Sequence, residues 1–203
     1  MESYIEYFQG DHKKNSDLVI TIDGESGAGK GTLARQIGEI MGLKVYSAGD
    51  FFRSIAKEKG MSVEELSEKA DISVDKEVDR RTLEKGLNED CVIESRIASR
   101  VLGDFSDFKI YLTADLKERA KRTLQDQEKR ESEEVVKDID EKIRKITERD
   151  NNNDERYMKY YGVDFNDKSI FDHQMDNTDM SLEQQKQEIK KILEKRFPER
   201  FEK

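Results

Sequence analysis

The stretch Leu18-Val19-Ile20-Thr21-Ile22-Asp23-Gly24-Glu25-Ser26-Gly27-Ala28-Gly29-Lys30-Gly31-Thr32-Leu33-Ala34 decides the fold. Residues 18–22 are apolar or β-branched and are bounded by Asp17 and Gly24, the pattern of a short buried strand. Leu33, Ala34, Ile37, Ile40 and Met41 then recur at helical spacing, and Gly42 stands where a helix stops. The turn between them carries Gly24, Gly27, Gly29 and Gly31. Glycines let a turn wrap until its backbone N–H groups converge on an anion. The helix N-terminus adds a dipole of the same sense. Lys30 can bring a positive charge to the outer phosphates of a nucleotide, and the Thr32 hydroxyl can ligate Mg²⁺.

A glycine-rich turn between a strand and a helix is the context that the P-loop motif requires. A surface loop that happens to be glycine-rich is the plainer alternative; strand, turn and helix agreeing in register argue against it. The chain has 203 residues, suited to one domain with at most a small insertion. Residues 1–16 are polar and expected to be disordered, leaving 17–203 as a single domain. Charged residues make up 41% and hydrophobic ones 34%, so the surface is ionic and the core modest. The formal net charge of -9 argues against non-specific nucleic-acid or anionic-membrane binding. The apolar run at 18–22 is too short to span a bilayer. Residues 1–16 lack the apolar stretch of a signal peptide. One cysteine, Cys91, rules out an internal disulfide and fits a reducing, cytoplasmic setting.

Further short apolar runs at 43–47, 91–93 and 108–112 read as strands, with a weak and rather polar fifth near 174–177. Between them lie helical patterns: one from Phe51, one opened by a Ser62/Glu65 capping box and running to about Gly86, a charged helical tract over 115–150, and one from Ser181 with Gln184 three residues on. Asn151-Asn152-Asn153 reads as a break in the charged tract. Alternating strands and helices predict an α/β fold with a five-stranded parallel sheet covered on both faces.

Ligands of such sheets bind at the C-terminal ends of the strands. Arginine suits phosphate there, because its planar fork bonds two oxygens and stays charged. Arg53, in Ser47-Ala48-Gly49-Asp50-Phe51-Phe52-Arg53, and Arg96, in Ile93-Glu94-Ser95-Arg96, follow the second and third strands. The plainer readings are solvated arginines, with Asp50 as an N-cap.

At these residues the chain resembles a family. The Gly-Lys-Gly-Thr form at 29–32 is closer to nucleoside monophosphate kinases than to GTPases or motor ATPases. Residues 47–53 are similar to the acceptor-binding segment of cytidylate and adenylate kinases, and residues 93–96 resemble archaeal-type cytidylate kinases. The resemblance implies a P-loop kinase with an acceptor-binding helical segment at about 50–88 and a lid at about 124–155. It implies ATP as donor, with Gly24, Ser26, Gly27, Ala28, Gly29, Lys30, Gly31 and Thr32 around its phosphates and with Arg119 and Arg122 near the donor nucleotide. The acceptor, a nucleoside monophosphate (CMP or dCMP), would meet Ser47, Gly49, Asp50, Arg53 and Arg96. Mg²⁺ would be served by Thr32 and, through water, by Glu94. Lys30, Arg149 and Arg156 would carry the charge of the transferring phosphoryl group. For Arg149 and Arg156, as for Arg130 and Arg144, an exposed helix laced with ion pairs is the alternative. The segment has no cysteine, so a zinc-bearing lid is excluded. Tyr160-Tyr161-Gly162-Val163-Asp164 and Asn177-Thr178 are also similar to the archaeal-type family. Glu25-Ser26, where related loops carry proline or small residues, and the polar fifth strand depart from it. Acceptors other than CMP (AMP, UMP or a small metabolite) and a non-catalytic nucleotide switch remain as rival readings. Nothing in the residue pattern distinguishes a monomer from a dimer.

Overall fold

In the computed structural model, residues 10–63, 65–66, 72–129, 138–164 and 167–202 are described. Five strands form one parallel sheet: β1 (Val19–Gly24), β2 (Lys44–Ser47), β3 (Cys91–Glu94), β4 (Phe108–Thr113) and β5 (His173–Asp176), in the order β2-β3-β1-β4-β5. The helices are α1 (Lys30–Met41), α2 (Ala48–Glu58), α3 (Ile72–Asn88), α4 (Ala98–Leu102), α5 (Leu116–Lys129), α6 (Ile139–Tyr161) and α7 (Leu182–Arg196). The chain leaves β1 towards β2 and β3 on one side and later reaches β4 and β5 on the other. The strand order therefore reverses beside β1, which puts a crevice at its C-terminal end.

Alternation along β1 divides the core. Ile20 and Ile22 pack with Val92, Ile110, Leu112, Leu33, Ile37, Ile189 and Leu193 on one face. Val19 packs on the other with Ile93, Leu83, Val101, Leu102 and Tyr161. Thr21 is buried on this second face and shares hydrogen bonds of 2.8 Å with the hydroxyls of Ser99 and Ser106, so its polarity is satisfied. Cys91 lies in the same cluster, with burial pushing its thiol up to about 12; it is inert packing.

β5 pairs with β4 from Ile110↔His173 to Thr113↔Asp176 despite its polarity. As an edge strand it needs to bury little, and Met175 alone of its four residues is buried. The capping pairs Ser62/Glu65 and Ser181/Gln184 both form. Three expectations give way. Asn151-Asn152-Asn153 does not break the charged tract: α6 runs through it to a left-handed cap at Gly162. Asparagine costs a helix well under 1 kcal/mol per residue, and contacts made by Asp150 and Asp154 across this turn hold it in place. The N-terminal segment is tied down from Lys14 onward. Lys14 pairs with Asp107, and the backbone N–H groups of Asn15 and Ser16 both donate to the Leu87 carbonyl; residues 1–9 lie outside the described part. Asp50 is not the cap of α2, since Ser47 accepts from the Gly49 N–H instead. No helix among the described residues is long and apolar enough to cross a membrane.

Candidate active site

The turn from β1 to α1 is shaped by close backbone packing. At Gly24 (φ 152°) a Cβ would stand 2.1 Å from the Leu112 carbonyl oxygen of β4, and at Gly27 (φ 80°) one would meet Thr123 Oγ1 at 2.7 Å. Lys30 folds back over the turn, its Nζ donating to the carbonyls of Gly24 and Glu25 at 2.9 Å each. Burial pulls its ammonium down to about 8; Arg96 and Arg149 push the same way, while Glu94 and Asp150 oppose them. Those charges show what gathers around Lys30.

The tips of β2 and β3 contribute to this ring. Ser47, ending β2, donates its hydroxyl to Glu94 Oε1, ending β3. The Glu94 carboxylate and the Arg35 guanidinium both come up to Gly31, 3.7 and 3.6 Å from where its Cβ would be. Arg35 also donates to Thr32 Oγ1 at 3.2 Å. Arg53 lies over Gly49, with Nη1 3.5 Å from the Cβ position there, and pairs with Asp50 at 2.5 Å. Arg96 reaches back across the crevice. Its Nη1 stands 3.0 Å from Asp150 Oδ1 and its Nη2 donates to Asp154 Oδ1 at 3.1 Å.

Arg119 and Arg122 of α5 brace the turn from outside. Arg119 Nη1 donates to the Ser26 carbonyl at 3.0 Å and to Asp150 Oδ2 at 2.7 Å. Arg122 Nη1 reaches the Ala28 carbonyl at 3.5 Å and Asn177 Oδ1 at 2.8 Å. Arg149 is exposed on α6 within electrostatic reach of Lys30. Arg156, two turns further on, is not drawn into this ring. It pairs with Asp75 of α3 at 3.4 Å, donates to Asn153 and lies 5.1 Å over the Tyr157 ring. Arg144 forms an exposed pair with Glu148, and Arg130 lies outside the described residues.

Residues 19–179 match the model of the cytidylate kinase-like family. The chain belongs to the cytidylate kinase-like family. It is 38% identical to a cytidylate kinase of Staphylothermus marinus over 181 residues, covering 88% of this chain and 97% of that one. It is 43% identical to one of Pyrococcus horikoshii over 157 residues, covering 76% and 77%. Among solved structures, shikimate kinase from Bacteroides thetaiotaomicron superposes with a TM-score of 0.60 at 15% identity, covering 87% of this chain and 98% of that one, a likeness of fold.

Sequence reading assigned no role to several residues around the turn of this cytidylate kinase-like chain. Asp150 and Asp154 are the partners of Arg96; their i,i+4 spacing beside Arg149 was the available signal. Asn177 is 3% exposed at the end of β5. It donates to the Ala28 carbonyl at 3.0 Å and to Gln185 Oε1 at 2.6 Å, so it holds the turn at Ala28. Asp23, buried at the tip of β1, accepts from the Ser99 N–H at 3.0 Å. Burial pushes its carboxyl up to about 7, against the pull of Ser99, Lys30 and Arg100. Its position inside an apolar strand gave no hint of this.

Proposed function

We propose that this protein transfers the γ-phosphoryl group of ATP to CMP, giving ADP and CDP, with dCMP as a second acceptor. The observation that carries the reading is that two sets of groups suited to phosphate stand at the C-terminal ends of neighbouring strands. The glycine turn with Lys30 is on one side; Ser47, Arg53 and Arg96 are on the β2 and β3 side. A turn that cradles phosphate serves any nucleotide hydrolase, whereas a second guanidinium set beside it suits an acceptor that is itself a phosphate. Membership of the cytidylate kinase-like family supports the same reading. Phosphoryl transfer needs positioning and charge neutralisation rather than a covalent intermediate. Lys30 and Arg149 are placed to take the charge of the moving group. Arg156 serves only after leaving Asp75.

Mg²⁺ takes hard oxygen ligands and keeps several waters when it binds with a nucleotide. The Thr32 hydroxyl and the Glu94 carboxylate, the latter 3.7 Å from the Cβ position of Gly31, fit that donor set. When bound, the ion would offset phosphate charge; Thr32 would ligate it and Glu94 would hold its water. Residues 50–88 act as the acceptor segment and 124–155 as the lid, and a single reduced Cys91 suits a cytoplasmic enzyme. The test is a coupled assay with ATP against CMP, dCMP, UMP and AMP. CMP and dCMP should give the highest kcat/KM. ATP hydrolysis indifferent to every monophosphate would overturn the proposal.

A further inference from the structure

Asp150 touches more of the proposed site than any sequence motif accounts for. Its Oδ1 stands 3.0 Å from Arg96 Nη1 and accepts from the Ser26 N–H at 3.3 Å. Its Oδ2 accepts from Arg119 Nη1 at 2.7 Å. Its backbone carbonyl accepts from Arg96 Nη2 at 3.4 Å. One residue of α6 thus joins the tip of β3, the phosphate turn and α5. The side chains are buried, 15% exposed for Asp150, 12% for Arg96 and 8% for Arg119. Buried ion pairs of this kind hold their geometry, and breaking one leaves a charge stranded.

Asp154 is the internal comparison. It also pairs with Arg96, at 3.1 Å, but it is 47% exposed, and no contact with the turn or with Arg119 is found among the described residues. If Arg96 needed only a counter-charge, the two carboxylates would be equivalent. Only Asp150 carries a second guanidinium and a backbone donor of the turn.

We propose that Asp150 is a positioning residue that couples the acceptor arginine, Arg96, to the phosphate turn through Arg119 and Ser26. The inference rests on the reading of Arg96 as an acceptor residue. Because one carboxylate sets both guanidinium groups, a change on the donor side is felt on the acceptor side and the reverse. Burial works against its charge, but Arg96, the Ser26 N–H and Arg119 outweigh that and hold the carboxyl below the usual carboxylate range; it is therefore ionised at neutral pH.

The experiment measures kcat and KM for both ATP and CMP in Asp150→Asn, Asp154→Asn, Arg96→Ala and the Arg96→Ala/Asp150→Asn double variant, with thermal unfolding of each. Asp150→Asn should lower kcat/KM for CMP about 30-fold or more, as expected when a reacting group is misplaced by about 1 Å, and should raise KM for ATP as well. Asp154→Asn, a half-exposed pair, should stay within about threefold. In the Arg96→Ala background, Asp150→Asn should cost kcat/KM for CMP about threefold or less, because the coupled partner is already gone. Multiplying losses in the double variant, equal effects of the two Asn variants, or a fall in Tm with unchanged kinetics would overturn the coupling alone. An unchanged acceptor KM in Arg96→Ala would overturn the acceptor reading and the coupling with it. Should Asp150→Asn fail to fold, Arg119→Lys keeps the charge but loses the fork. It should raise KM for CMP about fivefold or more from the donor side, and an effect on ATP alone would overturn the proposal.

Discussion

Replacing Lys30 by Met should cut turnover by about 10²–10³ and at the same time make the empty protein more stable. The ammonium is held at the mouth of the phosphate turn, with burial first, then Arg96 and Arg149, drawing it from 10.5 to about 8. A shift of that size means that keeping the charge in the folded protein costs about 3 kcal/mol near neutral pH. Against this stand its hydrogen bonds to the Gly24 and Glu25 carbonyls, each worth roughly 1 kcal/mol net. Lys30→Met removes both effects, so a gain of about 1 kcal/mol is expected, or a rise in Tm of about 2–4 °C for a chain of this length. The gain has a pH signature. Between about 8 and 10.5 the unfolded chain binds a proton that folded Lys30 has released, so the parent gains stability as pH rises through that window. The advantage of the variant is therefore full below pH 8 and shrinks as pH climbs towards 10.5. Turnover should fall by about 10²–10³, the loss seen when one donor to a developing oxyanion is removed. Differential scanning calorimetry from pH 6 to 10.5 and the coupled assay read both effects. A variant that melts below the parent at pH 7, or that turns over normally, would refute the reasoning.

Gly24→Ala should destabilise the protein by about 3 kcal/mol in urea unfolding, because its Cβ would overlap the Leu112 carbonyl at 2.1 Å; a loss under about 1 kcal/mol would mean that β4 moves aside freely. Arg53→Ala should raise KM for CMP about tenfold while leaving Tm unchanged, since its pair with Asp50 is exposed and structurally weak; a drop in Tm with unaltered KM would give Arg53 a structural part only. Asp79, which accepts from the Tyr161 hydroxyl at 2.6 Å, is pushed up to about 7 by burial, with Asp75 adding to the rise. The folded protein keeps a proton there that the unfolded chain releases, so this group takes away about 4 kcal/mol as pH rises from about 4 to 7. Asp79→Asn should flatten that slope by about one proton, and an unaltered profile of stability against pH would exclude the assignment.

The strand and helix pattern was legible wherever periodicity and turn chemistry pointed the same way. Gly42, Ser62 and Ser181 each end or begin a helix as their chemistry dictates. The glycine turn was legible because its composition has a purpose that few other structures share. Three Asn in a row were misleading, since propensity differences of a few tenths of a kcal/mol yield to the packing of Asp150 and Asp154 on Arg96. Partners were the illegible part. Arg156 and Arg149 stand seven residues apart on one helix, yet one meets Asp75 and the other lies within electrostatic reach of Lys30. No local signal ranks those destinations, because they depend on how α3 and α6 pack.

The pairing of the arginines resolves an apparent conflict between a net charge of -9 and two anionic substrates. Arg53 meets Asp50, Arg96 meets Asp150 and Asp154, Arg119 meets Asp150 and Glu25, and Arg156 meets Asp75. Guanidinium groups crowded at one sheet edge without these carboxylates would repel one another and attract any small anion. With them, on the proposed reading of these arginines, phosphate binding would be an exchange of one oxyanion for another. The free energy available to a substrate is then a difference between two charge-assisted hydrogen-bond sets. A phosphate that bridges several of these groups at once can win that exchange, while a lone anion gains little. On that reading, discrimination in favour of a nucleotide positioned by its base and sugar would rest on the carboxylates as much as on the arginines. The overall charge of the protein does not decide what its crevice binds.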